Sequence, residues 1–230
     1  MKKIALIIMA SAALNMAVAE DRVGITADLM SVMVKHQGKD IEIKRDQDPD
    51  GTVTPDFALT GRACPPFCIQ PAKLEGGVET IAEIEVLDYL KKKSAGDDSI
   101  IVIDSRTPDW VSKGTIPGSV NISWTELNPK KGATTESISK LLAERFGVKL
   151  KEGKDFFDVD EALTEGKADT VFDYSGAKTL VKFCNGMWCG QSPTAINTLK
   201  RFGYPDEKMK WYRGGMQNWS NLGLTTAKGK

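Results

Sequence analysis

Two short apolar runs constrain this chain more than any other feature. "SIIVIDSR" (Ser99–Arg106) and "TLVKF" (Thr179–Phe183) run without apolar–polar alternation, and each gives way to polar or reactive residues. A strand that is hydrophobic on both faces must be buried on both, which is the condition of a parallel sheet covered by helices. The surrounding sequence supplies such helices. Ile81, Ile84, Leu87 and Leu90 recur at helical spacing, with Thr80 and Glu83 placed to form a capping box in front of them. Ile138, Leu141, Leu142 and Phe146 mark a second helix, closed by Gly147. "PTAINTLKRFG" reads as a third, with Ser192 as N-cap, Pro193 at its first position and Gly203 past its end. "DFFDVDEALTEGKADTVFDYSG" (Asp155–Gly176) is polar and weakly patterned, and is expected to be an excursion across the surface. Strands alternating with helices predict an α/β domain with a mostly parallel sheet.

The chain opens "MKKIALIIMASAALNMAVAED": two lysines, an apolar run too short to span a bilayer, and the small-residue triplet Ala17-Val18-Ala19. That order is the pattern of a secretory signal peptide, so residues 1–19 are read as a cleaved leader and the mature protein as periplasmic. No later segment is apolar enough to insert in a membrane. The 31 basic and 31 acidic residues balance, and losing Lys2 and Lys3 leaves the charge near neutral, without a footprint for nucleic acid or anionic lipid.

Residues 20–76 are read as an irregular extension, and residues 77–226 as the main domain. The extension holds a strand-like "DIEIK", an aspartate-rich turn, and "ACPPFC", whose prolines preclude a helix. "DQDPDG" (Asp46–Gly51) matches the first half of a calcium loop, but Phe57 stands where a bidentate glutamate belongs. A plain turn is the reading, and no metal or other cofactor is expected. His36 is the only histidine and reads as a solvated turn residue. A Cys–His dyad would have to recruit it from the extension, which argues against a cysteine protease.

The four cysteines form two close pairs, Cys64/Cys68 and Cys184/Cys189. In an oxidising compartment such pairs suggest disulfides. Cys64/Cys68, in a proline-rigid loop, reads as a structural disulfide; the alternative is a pair that exchanges electrons with the second one. A zinc site built from both pairs is opposed by the compartment. Cys184 follows Phe183 directly, at the carboxyl end of a strand, where ligands gather in parallel sheets. The loop Asn185, Gly186, Met187, Trp188, Cys189, Gly190 and Gln191 then runs into the free N–H groups at the start of the Ser192 helix. Those donors and the helix dipole favour a thiolate. Gly186 and Gly190 allow several amides to converge on one anion. A permanent Cys184–Cys189 disulfide remains open beside the activated thiol. Trp188 is expected to line a substrate entrance or dock a partner, while Trp110, Trp124, Trp211 and Trp219 read as core and the lysines of "KKGA" as solvated.

"IVIDSRTPDWVSKGTIPGSVNISW" (Ile101–Trp124) and "GYPDEKMKWYRGGMQNWSNLGL" (Gly203–Leu224) resemble the opening and closing patterns of the rhodanese family, and Cys184 falls between them where that family carries its persulfide-forming cysteine. The resemblance covers about Val78 to Thr225. It implies a five-stranded parallel sheet flanked by helices and transfer of sulfane sulfur through a cysteine persulfide. By matching position Cys184 would carry the sulfur, the loop amides from Asn185 to Gln191 would cradle it beside Ser192, and Asp104 and Arg106 would brace the neighbouring loop; Cys189 is a departure from the family, and the C-x4-C spacing adds the expectation that it resolves the persulfide as a disulfide. The expected partners are a small sulfur-containing substrate or a thiol protein, with a thiol or cyanide as acceptor. Departures qualify the pattern. The loop is two residues longer than usual, Gln191 replaces a frequent arginine, and Thr115 replaces a histidine. The missing arginine argues against the related phosphatases and arsenate reductases, which need its two-pronged grip on an oxyanion. "MWCGQS" also looks like a thioredoxin stretch with Ser192 in place of the second cysteine. The competing functions are therefore a thiol–disulfide oxidoreductase using Cys184 and Cys189, and a non-catalytic binding module.

Overall fold

In the computed structural model, which describes residues 22–229, the first regular element is an antiparallel hairpin of β1 (Ser31–His36) and β2 (Lys39–Lys44). The leader expected at residues 1–19 lies outside the described residues. Gln37 and Gly38 close the hairpin with φ values of 50° and 78°, the left-handed pair that a two-residue turn between twisted strands demands. Val32, Val34 and Ile43 alternate inward. The extension is thus partly regular. His36, expected in a solvated turn, is instead the buried last residue of β1. Its Nδ1 accepts from the Gly118 N–H (3.0 Å) and its Nε2 pairs with the Lys228 carbonyl oxygen (3.1 Å). A neutral ring protonated at Nε2 satisfies both. The aspartate-rich segment is a turn, in which the Asp46 and Asp48 carboxylates accept from the N–H groups of Asp48 and Asp50 (3.1 and 3.0 Å). A short helix α1 (Pro55–Ala58) follows, then the loop in which Cys64 and Cys68 are disulfide-bonded, their Cα atoms 4.7 Å apart.

The main domain alternates as its apolar runs require. β3 (Glu79–Ile81) leads to α2 (Glu83–Ser94), β4 (Ile100–Asp104) to the short α3 (Pro108–Val111), and β5 (Val120–Asn121) to α4 (Thr135–Leu141). The helical path widens over Leu142–Phe146 and stops at Gly147, whose φ is 75°. A small antiparallel pair, β6 (Lys149–Leu150) with β7 (Phe172–Asp173), brackets α5 (Phe156–Glu165). Then come β8 (Thr179–Phe183), α6 (Gln191–Arg201), β9 (Met209–Tyr212) and α7 (Gly215–Asn221). The five long-range strands are all parallel in the order β3-β9-β8-β4-β5, which makes β8 the central strand.

Both faces are covered. On one, Leu180 of β8 packs with Ile138, Val159 and Ile196 from α4, α5 and α6. On the other, Val181 and Phe183 pack with Leu87 and Leu90 of α2, Trp219 of α7, and Val32, Val34 and Ile43 of the hairpin. Three local expectations are corrected. Thr80 lies in β3 rather than capping α2, and the Ala82 N–H is capped instead by the Glu85 carboxylate (3.0 Å). Asp155–Gly176 is no mere excursion: Asp155 caps α5, Gly166 ends it, and Val159 and Ala162 anchor it to the core. α6 starts at Gln191 with Gly190 as N-cap, so Ser192 and Pro193 sit within its first turn, where proline's missing N–H costs nothing.

Candidate active site

Cys184 stands immediately past β8, and the chain reverses there because α7 catches it. The Met216 N–H donates to the Cys184 carbonyl (3.0 Å) and the Gln217 N–H to that of Asn185 (2.9 Å). This close approach requires Gly215. Its φ is 56°, and a Cβ at that position would collide with the Cys184 carbonyl oxygen. The loop then folds on itself through the Cys189 N–H and the Gly186 carbonyl (2.9 Å) before entering α6.

Both loop cysteines are free thiols, with Cys184 2% and Cys189 3% exposed. The neutral Cys184 thiol donates to the Cys189 carbonyl (3.3 Å). Burial pushes the Cys184 pKa up. Hydrogen bonds from the Cys189 thiol, the Ser192 N–H and hydroxyl, and the Gly186 N–H outweigh burial and hold it down at about 7. Cys189 moves the other way: burial, then its hydrogen bond to Cys184 and the charge there, push its pKa well up, with the Asn185 and Gln191 amides only partly opposing. The pair therefore divides into a thiolate at Cys184 and a thiol at Cys189. The Ser192 hydroxyl is fully buried and has no other hydrogen-bond partner.

Behind the loop, the Asp104 carboxylate takes the Arg106 side chain in two-pronged fashion (Nη2–Oδ2 2.6 Å, Nε–Oδ1 2.9 Å), both groups fully buried. It also accepts from the Arg106 N–H (3.0 Å) and the Thr115 hydroxyl (2.7 Å). Thr115, standing where the family pattern has a histidine, thus completes a buried carboxylate rather than reaching the sulfur. The Ser105 N–H donates to the Phe183 carbonyl (2.9 Å), which ties this brace to the residue before Cys184.

The extension forms the roof. The Gln70 N–H donates to the Met187 carbonyl (2.8 Å), and Arg213 holds the Gln70 and Pro71 carbonyls (2.8 Å each). Trp188 is sandwiched: the Arg62 guanidinium lies 4.0 Å from its ring, Phe67 meets it edge-on at 5.4 Å, and its indole N–H donates to Gln217 Oε1 (2.6 Å). Trp188 is therefore half-buried against its own chain. A cavity of about 420 Å³ remains between roof and loop, with Asn185, Cys189, Gly190 and Gln191 in its wall. Of the loop residues named from sequence, Met187 alone turns an exposed side chain outward. Trp110, Trp124 and Lys131, expected in the core or in solvent, line this cavity.

Sequence reasoning missed Arg62, Phe67, Gln70, Arg213 and Gln217, whose roles depend on distant packing. It also missed Lys182, although a lone lysine inside an apolar strand was a visible signal. Its ammonium is wholly buried without a hydrogen-bond partner, 5.8 Å from the Phe146 ring centroid. Burial pulls its pKa down to about 7, with Glu126 partly opposing. Among the described residues no group of three or more His, Cys, Asp or Glu could hold a metal ion, and no helix is long and apolar enough to cross a membrane.

A family model described as "Rhodanese-like domain" matches residues 86–222. Among solved structures, the chain is similar to a protein of unknown function from Rhodopseudomonas palustris described as a possible tyrosine phosphatase. That likeness has 18% identity and a TM-score of 0.37, over 65% of this chain and 85% of the other, and is too loose to carry chemistry across. No curated protein matches the chain.

Proposed function

The chain belongs to the rhodanese-like domain family, and from that premise we propose that it is a sulfurtransferase moving sulfane sulfur through a persulfide on Cys184 to a thiol or cyanide acceptor. The leader pattern of residues 1–19 supports a periplasmic setting for this activity. The Cys184 thiolate attacks the outer sulfur of a donor. A bond forms between the two sulfurs, and the donor's own bond to that sulfur breaks, its leaving group keeping the electron pair. The acceptor then attacks the carried sulfur and restores the Cys184 thiolate, which is a good leaving group for the reason that makes it abundant: its pKa is low. The Ser192 and Gly186 N–H groups and the Ser192 hydroxyl are positioned for the anion in each state. The placement of Cys184 at the end of the central strand β8, in a loop that runs directly into the start of α6, is the observation that carries the reading.

The test is thiocyanate formation from cyanide and a sulfane-sulfur donor, either thiosulfate or an organic persulfide. Cys184→Ser should abolish it, and a variant that keeps the wild-type rate would refute the assignment. A second reading, thiol–disulfide exchange, is favoured by the adjacency of the two free thiols, that of Cys184 donating to the Cys189 carbonyl (3.3 Å). It requires exchange with glutathione disulfide that disappears in both Cys184→Ser and Cys189→Ser.

A further inference from the structure

Cys64–Cys68 has no part in the sulfur chemistry above, yet the fold brings it to the Cys184 loop. The chain within and just past the disulfide rests on that loop at several points. The Gln70 N–H donates to the Met187 carbonyl (2.8 Å), and Phe67 meets Trp188 edge-on at 5.4 Å. The Gln70 side-chain amide donates to the Cys68 carbonyl (2.8 Å), and the same nitrogen would stand 3.6 Å from a Cβ placed on Gly190. Pro66 and Phe67, from inside the disulfide ring, share the wall of one cavity of about 420 Å³ with Cys189. Exposure then divides the two pairs. Cys64 is exposed and Cys68 half-buried, whereas Cys184 and Cys189 are both sealed in. A large reductant reaches the first pair and is shut out from the second. Their oxidation states are opposite as well: one pair is bonded and the other holds two free thiols. That is the state left once two electrons have passed from the extension to the loop. Within a Cys184–Cys189 bond, Cys184 would be the better leaving group because its pKa is held down at about 7, which favours that direction.

We propose that Cys64 and Cys68 form a redox relay, which carries electrons from a dithiol reductant in the surroundings to an oxidised Cys184–Cys189 pair. The relay goes beyond sulfur transfer and does not depend on it. Resolution of a persulfide, in which Cys189 attacks Cys184 Sγ and expels hydrosulfide, leaves the loop disulfide, and so does disulfide exchange with a substrate. The reductant's thiolate attacks Cys64 Sγ and Cys68 leaves with the electron pair; the reductant's second thiol then closes its own disulfide and frees Cys64. The roof closes across the cavity and the Cys68 thiolate attacks Cys189 Sγ. A Cys68–Cys189 bond forms as the Cys184–Cys189 bond breaks, and Cys184 leaves as the thiolate. Cys64 then attacks Cys68 Sγ, which restores the Cys64–Cys68 bond and releases Cys189. Two electrons enter the loop and the reductant ends as a disulfide. One of its two protons finishes on Cys189 and the other goes to water. Cys64 is the entry point, Cys68 the exit, and Cys189 the receiver.

The experiment oxidises the full-length protein with diamide until both pairs are bonded, and then adds one equivalent of dithiothreitol. Samples quenched in acid at intervals are alkylated and their cysteine peptides mapped by mass spectrometry. In wild type, thiols should appear first at Cys64 and Cys68, then pass to Cys184 and Cys189 as the Cys64–Cys68 bond re-forms. A peptide pair linked through Cys68 and Cys189 should appear in between. Cys64→Ser/Cys68→Ser should slow the release of the Cys184 thiol by roughly tenfold or more. Loop thiols that arise in wild type without earlier thiols at Cys64 and Cys68 overturn the proposal. So does a reduced Cys64/Cys68 pair that persists beside an intact Cys184–Cys189 bond, or a loop pair that diamide never joins. An undiminished rate in the double variant overturns it where the melting curve is that of wild type, and the wild-type time course decides where the variant fails to fold. Because diamide makes the loop disulfide, a protein that never takes up sulfur on Cys184 still answers this test, and the two readings fail separately.

Discussion

Cys184 keeps a negative charge inside a fold because its donors are already in place before the charge appears. Ordinarily a buried thiol is harder to ionise; here the hydrogen bonds from Cys189, Ser192 and Gly186 reverse that tendency. The reactive fraction should rise as pH climbs through about 7 and level off above it. Ser192→Ala removes one donor to a charged sulfur, worth on the order of 1.5–3 kcal/mol, and should move that midpoint up by roughly one pH unit or more. Alkylation rate against pH reads the shift directly, and an unmoved midpoint would mean that the hydroxyl serves something else. Lys182 carries the opposite kind of burden. Its pKa is about 7 in the fold against an ordinary value of 10.5, so between those values the unfolded chain binds more protons than the folded one, and stability rises with pH. Lys182→Met should therefore stabilise most at pH 7 and below, by a few kcal/mol in order of magnitude, with the gain shrinking toward pH 10.5. Denaturant midpoints at several pH values test this, and a pH-independent gain would contradict it. Cys184 was legible in the sequence because strand end, glycine loop and helix start are consecutive. The division of labour between Cys184 and Cys189 was not, since it depends on which sulfur the Ser192 and Gly186 groups face.

Elements hold this geometry by a few close contacts. The start of α7 lies against the Cys184 and Asn185 carbonyls only because Gly215 has no side chain and a φ of 56°. Gly215→Ala should destabilise the fold by roughly 2 kcal/mol and also displace the loop. Activity should fall more than thermal stability alone explains, and a variant with wild-type activity would break the link. Helices and strands with strong patterns were readable: β4 and β8 as unbroken apolar runs, and the stop at Gly147. α5 was missed although Asp155, Val159, Ala162 and Gly166 mark its cap, buried face and end, because acidic residues dilute that pattern. The Thr80 capping box failed for a different reason. Pairing of β3 with β9 claims Thr80 for the sheet, and tertiary contacts override a local signal.

At the scale of the molecule, the extension is built into the domain. Val32, Val34 and Ile43 belong to the same core as Leu87, Leu90 and Trp219. The loop around Cys64–Cys68 is held over the Cys184 loop by bonds such as that from Arg213 to Pro71, 142 positions apart. Such contacts leave no local trace in a sequence, which is why the extension looked separable. Removing residues 22–44 should lower the melting temperature sharply and expose apolar surface to a hydrophobic dye; an unchanged melting curve would show the hairpin to be an ornament. The whole account rests on Cys184 taking up a sulfur atom, and its most direct measurement is a mass spectrum of the Cys184-bearing peptide after incubation of the native protein with a sulfane-sulfur donor. A gain of about 32 Da on Cys184, one sulfur atom, with Cys189 unmodified, is the predicted result. A Cys184–Cys189 disulfide with no added sulfur under any donor would contradict it.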